Sequence, residues 1–242
     1  MTRRRWIADT FTETHASLIG PQAEHLARVL RAQPGAEVDV VADGHVYLAV
    51  IERVSVDEVI FKLVTEITAE PALPVTLLLA VFKFDRMEWA IEKATELGVS
   101  SIVPVIARRT EKHLAQAAEK RVERWRRLAH EAAKQSRRAD LPTIHDPVAL
   151  AAHLHLPSTK QHILLAKDER NTTLRERLQE ATLKNELELP AFEFAIGPEG
   201  GWTTEELSLF KKQEWQSASL GPRILRAETA AIASLAIASS LL

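Results

Sequence analysis

Two short stretches near the C-terminus carry the residue types that could do chemistry. The first, FEFAIGPEGGWTTEEL (192–207), is an apolar run that stops at Gly197-Pro198-Glu199-Gly200-Gly201 and gives way to an acidic segment. The second, SLGPRILRAETAAIASLAIAS (219–239), has another apolar run ending in Gly-Pro, then a basic linker, then an alanine-rich helix. Glycine lets a ligand approach main chain without a Cβ in the way. In open α/β sheets, ligands bind beyond the carboxyl ends of strands. Thr203 with Glu206 three residues later fits a capping box, and Glu228 in a first helical turn suits the helix dipole. Two such loops could form two walls of one pocket, or be two ordinary connections. Neither is a P-loop or a G-x-G-x-x-G turn.

The elements that must position these loops show in the hydrophobic pattern. Apolar runs at 75–82, 101–107, 162–167, 192–197 and 217–221 alternate with amphipathic stretches at 86–97, 119–135, 174–183, 205–213 and 227–241. Strands apolar on both faces alternating with helices predict a parallel sheet covered by helices. Before PALP (71–74) the pattern differs. One short helix (21–30) comes first, then strands around an Asp43-Gly44 turn and a β-branched stretch at 58–68, which predict a small barrel. The expected domains are therefore 1–72 and 73–242.

Composition narrows the chemistry. The net charge of −2 excludes a globally basic nucleic-acid binder, so phosphate contacts would have to come from local arginine clusters. The absence of cysteine excludes disulfides, thiolate zinc sites and cysteine nucleophiles, and fits a reducing compartment. The start, MTRRRWIADTF, lacks the apolar core of a secretory signal, and no apolar stretch is long enough to span a bilayer. A cytoplasmic location is expected. His153 and His155 are the only close histidine pair, read as lying in a loop without an acidic partner, so no metal is expected.

IGPEGGWTTEEL together with LGPRILRAETAA closely resembles the RsmE family of RNA methyltransferases, within the SPOUT superfamily. The resemblance extends to KFDRMEWAIEKATELGVSSIVPVIARRT (83–110), RWRRLAHEAAKQSRRADLPTI (124–144) and HLARVLRAQPGAEVDVVADG (25–44). It covers most of the chain in order. Residues 163–174 match it poorly, and Arg137 stands where a small residue is expected.

The resemblance implies a SPOUT-type α/β domain, its parallel sheet threaded into a trefoil knot, preceded by a small PUA-like β-barrel. It implies S-adenosylmethionine as cofactor and methyl transfer to N3 of one uridine in 16S ribosomal RNA of the small subunit. Ile196, Gly197, Glu199, Gly200 and Gly201 would form one wall of the cofactor site. Leu220, Gly221, Ile224, Leu225 and Arg226 would form the other. Arg226 is expected as a cation near the transferring methyl, with Glu228 positioning neighbours and Arg138 as a second catalytic candidate. Arg3, Arg4, Arg28, Arg31, Lys83, Arg86, Arg108, Arg109 and Arg138 are the candidates for RNA contact. Trp6 and Trp202 either stack on a base or pack internally. A homodimer is expected. Rival readings are a SPOUT enzyme acting on a ribose hydroxyl or a tRNA base, and a non-catalytic RNA-binding factor that keeps the fold.

Overall fold

The structure is a computed structural model that describes residues 5–69, 71–184 and 189–242. The chain divides into two compact units. One runs up to Pro71 and also takes in Ala133–Leu141; the other comprises Ala72–Ala132 and Pro142–Leu242. The division falls at the PALP stretch, but a linear boundary cannot show that a later segment returns to the first unit.

The first unit is a six-stranded curled sheet. Its elements are β1 (Arg5–Ile7), β2 (Thr10–Phe11), β3 (His15–Ile19), α1 (Pro21–Glu24) running into a π-helical turn (His25–Val29), β4 (Glu37–Ala42), β5 (His45–Val54) and β6 (Glu58–Ile67). The spatial order is β1-β4-β5-β6-β3-β2. The two edge strands are consecutive in sequence, so the sheet has to curl until Ile7 and Thr10 can be joined. Shifts in register at Leu48/Ala49 and Ile51/Arg53 help it bend. The first shift also resets the alternation: Val46 is buried before it, Ala49 and Ile51 after it. Three strands precede the helix, which corrects the expectation that the helix comes first. These strands are short, and Thr10 and Phe11 are exposed, so they carry no alternating signal.

The second unit holds β7 (Leu73–Ala80), α2 (Phe84–Glu96), β8 (Val99–Ile106), α3 (Lys112–Ser136, its end belonging to the first unit), β9 (Thr143–Ile144), β10 (Val148–Ala149), α4 (Leu150–Leu154), β11 (Gln161–Leu165), α5 (Leu174–Lys184), β12 (Phe192–Ile196), α6 (Thr204–Lys212), β13 (Gln216–Ala218) and α7 (Ala227–Ser239). All sheet pairings are parallel, in the order β10-β8-β7-β12-β11-β13, with β9 beside β8. Successive side chains go to opposite faces. Leu77, Leu79, Phe192, Phe194 and Ile196 join Met87, Trp125 and Leu235 in one core, while Leu78, Ala80, Val105 and Ala195 join Phe210 and Trp215 in the other. Strands buried on both faces explain the near-continuous apolar runs.

Candidate functional site

Strands β12, β11 and β13 lie side by side and run in the same direction, so their carboxyl ends, Ile196, Leu165 and Ala218, open at one edge of the sheet. The loops beyond them, with the start of α7, enclose a cavity of about 350 Å³. That size is within the usual range for small-molecule sites. Ile196, Gly197, Glu199 and Gly201 line it on one side, and Leu220, Gly221, Ile224, Leu225 and Arg226 on the other. Gly200 does not line it. Leu165, Ala166, Lys167 and Asp168, after β11, also line it, and sequence reasoning passed over them. Their signal was present, since HILLAK is a strand whose end must meet its neighbours' ends. What was missing was the knowledge that β11 lies between β12 and β13.

The glycines of the first loop have separate causes. A Cβ at position 197 would stand 3.1 Å from the Trp202 indole, and one at 200 would stand 3.2 Å from Arg109 Cδ. Gly201 has open space around it but a φ of +69°, which disfavours any other residue. Each glycine thus has a cause within the protein: two make room for side chains and the third supplies a backbone conformation, while Gly197 and Gly201 also line the cavity. The loop closes with a Gly201 N–H bond to the Pro198 carbonyl at 2.7 Å.

Two charged side chains hold this loop. Arg109 Nη1 donates to the carbonyls of Gly200 at 2.5 Å and Trp202 at 3.3 Å. Glu206, only 6% exposed, accepts from the Thr203 amide through Oε2 and from the Arg108 amide through Oε1, each at 2.7 Å. The Thr203–Glu206 capping box forms as its spacing predicts. Glu206 thus satisfies amides of two loops at once. Thr110 anchors the second of those loops, its hydroxyl donating to the Val81 carbonyl at 3.1 Å.

The other wall is held through Ser219, whose amide donates to the Thr172 carbonyl and whose carbonyl accepts from the Leu174 amide, both at 2.9 Å. Arg226 is exposed at the N-cap of α7, and Ile224 is 80% exposed at the cavity rim. Glu228 is 5% exposed and does not line the cavity. Its Oε1 lies 3.8 Å from Arg86 Nε, and its buried Oε2 has no hydrogen-bond partner among the described residues.

The basic candidates differ in availability. Arg3 and Arg4 lie outside the described residues. Arg28 is exposed and paired with Glu24 at 2.8 Å, and Arg31, Lys83 and Arg108 are exposed. Arg86 faces Glu228. Arg138 is only 9% exposed, its guanidinium held by Asp140. Arg109, expected to track phosphate, is also exposed, and its Nη1 donates to the Gly200 and Trp202 carbonyls. Trp202 is buried, packs edge-on to Phe210 and lines the cavity. Trp6 is half-buried and tilted against His25.

A second polar cluster lies near the starts of β11 and β12. Glu193, 4% exposed, takes His153 Nε2 at 2.9 Å and lies 3.6 Å from His162 Nε2. His153 is in α4, and its acidic partner is forty positions downstream, which corrects the reading of an unpartnered loop histidine. No group of three or more His, Cys, Asp or Glu suited to a metal ion is found among the described residues.

Residues 69–239 match the family model described as an RNA methyltransferase domain, and 18–64 match an RNA methyltransferase PUA domain. The chain is 35% identical over 233 residues to ribosomal RNA small subunit methyltransferase E of Synechocystis, covering 95% of this chain and 74% of that protein. It is 30% identical over 227 residues to the Bacillus subtilis protein of the same name, covering 92% and 89%. Its structure resembles that of a ribosomal RNA small subunit methyltransferase E from Neisseria gonorrhoeae bound to S-adenosyl methionine, with TM-score 0.76, 26% identity and coverage of 99% and 98%. A putative methyltransferase from Legionella pneumophila in complex with the same cofactor matches with TM-score 0.76, 27% identity and the same coverage. The chain belongs to the ribosomal RNA small subunit methyltransferase E family.

Proposed function

We propose that this chain methylates N3 of one uridine in 16S ribosomal RNA of the small subunit, using S-adenosylmethionine. The observation that carries this is the cavity bounded by three adjacent strand ends, at the place where family membership calls for a cofactor. The donor set suits that molecule. Leu165, Ile196, Leu220 and Leu225 offer apolar surface for a flat base, and loop backbone offers donors and acceptors. Asp168 and Glu199 are carboxylates fit to face a cation, and Lys167 and Arg226 are cations fit to face a carboxylate. When bound, the cofactor supplies a methyl group on a sulfonium that is already a good leaving group, so no metal is required.

The chain's own work is placement and charge. The uracil N3–H is weakly acidic, and a cation beside it favours the imide anion. Arg226 stands at the cavity and at the N-terminus of α7, whose dipole adds to its charge. Glu228 would orient Arg86, and Arg138 would be a second cation for the partner subunit's site in a homodimer. The PUA domain model on residues 18–64 supports the assignment of 1–72 to RNA binding and 73–242 to methyl transfer. Arg28, Arg31, Lys83 and Arg108 are exposed cations offered to phosphate, and Arg109 is exposed beside Arg108. We further propose that the chain is knotted. The Ser219 bonds to the 172–174 segment, with α7 packed on α2, β7 and β12, support a path that passes beneath that segment. The bacterial relatives favour action in the cytoplasm.

The test is to incubate the protein with labelled S-adenosylmethionine and small subunits lacking their native methylation, then identify the nucleoside by mass spectrometry. Recovery of 3-methyluridine from one site is expected. A different methylated nucleoside would overturn the substrate while keeping the fold. Arg226→Ala with unchanged single-turnover methylation would remove Arg226 from the mechanism.

A further inference from the structure

We propose that Arg109 is a positioning residue: with Glu206 it forms a two-sided latch that holds the Pro198–Trp202 loop in its ligand-binding shape. The proposal rests on the reading of the adjoining cavity as the cofactor site. Three observations carry it. Arg109 uses one nitrogen to take two carbonyls of that loop, at 2.5 and 3.3 Å. Its aliphatic stem lies against Gly200 so closely that a Cβ there would come within 3.2 Å of Cδ and 3.5 Å of Cβ. On the other side, buried Glu206 ties the Thr203 amide to the amide of Arg108, the residue next to Arg109.

The signs are complementary. A cation takes carbonyls and an anion takes amides, and both connect the same two loops. Charge-assisted bonds of this kind are stronger than neutral ones. Both bonds come from the terminal nitrogen Nη1, which the shorter lysine side chain cannot bring to the same point. Gly200 fits the same account, because it does not line the cavity and its lack of a side chain serves Arg109. The first loop would then derive its shape from the β8–α3 connection as well as from its own turn.

Three variants test this: Arg109→Ala, Arg109→Lys and Gly200→Ala, the last displacing the arginine stem without altering charge. The first measurement is hydrogen exchange of the Gly200, Gly201 and Trp202 amides in the ligand-free protein. Faster exchange confined to this loop is expected in all three. The second is S-adenosylmethionine affinity by calorimetry, where Arg109→Ala is expected to weaken binding about tenfold or more, the scale seen when a supporting residue is removed from a site. Arg109→Lys should follow the alanine variant in both, while leaving the salt dependence of RNA binding unchanged. The double variant Arg109→Ala with Gly200→Ala should be no worse than Arg109→Ala alone, because both break one contact. Unchanged loop exchange in Arg109→Ala would overturn the latch. So would an unchanged cofactor affinity with a reduced salt slope for RNA, which would make Arg109 a phosphate contact. If the unaltered protein bound no cofactor, the functional reading would fall while the exchange data still decided the latch.

Discussion

Trp202 lies flat enough against Gly197 that a Cβ at position 197 would come 3.1 Å from both Cε2 and Nε1 of the indole. Trp202 in turn packs on Phe210 with ring centroids 5.0 Å apart, so it has little room to retreat. Gly197→Ala is therefore expected to destabilise the fold by about 1–3 kcal/mol through overpacking. It should also shift the Trp202 indole resonance and weaken cofactor binding. Gly201→Ala, with open space but a left-handed φ, should cost about 1–2 kcal/mol without moving that resonance. Gly201→Asn should cost less than alanine, since asparagine tolerates this region better. Urea denaturation with indole NMR separates the three.

Glu206 supports two amides from two loops while almost fully buried. Glu206→Gln keeps its shape but leaves a single acceptor oxygen, so one amide loses its partner. The expected loss is about 1.5–3 kcal/mol, the scale of a hydrogen bond to a charged group. A denaturation midpoint equal to that of the unaltered protein would show that water replaces the lost acceptor.

Burial holds His162 below the usual imidazole value of 6.5, and His153 and Lys160 push the same way, while Glu193 opposes them. Trp215 stacks on its ring at 4.7 Å. Below pH 6.5 the unfolded chain takes up a proton that the folded chain resists, so this contribution is complete above that value and declines as pH falls toward the depressed folded value. His162→Phe keeps a ring against Trp215 but cannot titrate. Its stability should fall less steeply than the unaltered protein's between roughly pH 7 and 5.5, a window set by the normal imidazole value. Parallel curves would assign the pH dependence to other groups.

RNA binding by scattered cations on a chain of net charge −2 predicts a steep, additive salt dependence. Lys83→Ala and Arg108→Ala should each reduce the slope of log affinity against log salt by about 1. A slope unchanged in Lys83→Ala would remove that residue from the RNA surface.

Much of the methyltransferase unit was legible because its information is local. The runs at 75–82 and 192–197 became β7 and β12, and the Thr203–Glu206 box formed at the start of α6; in the first unit, Asp43-Gly44 became the β4–β5 turn in the same way. The walls of the cavity were legible through motif, with nine of the ten residues expected to bind cofactor lining it. What was not legible depends on partners distant in sequence. Arg109 and Gly200 are 91 positions apart and His153 and Glu193 are 40 apart, so no pattern of spacing could pair them. The three opening strands were missed because β1 and β2, of three and two residues, cannot show a period, and β3 buries three consecutive residues, so it does not alternate.

The sheet order has a consequence for how the site comes into being during synthesis. Central strand β12 pairs with β7, more than a hundred residues earlier, and β11 cannot be flanked on both sides until β13 has arrived. Pairings this distant in sequence form slowly, because a long loop must close before any contact rewards it. One wall of the cavity, from Ala218 to Ala230, comes later in the chain than the ends of β11 and β12 that it completes. Cofactor capture therefore cannot guide the folding of the strands before Ala218, and a nascent chain has no complete pocket until this later wall has been made.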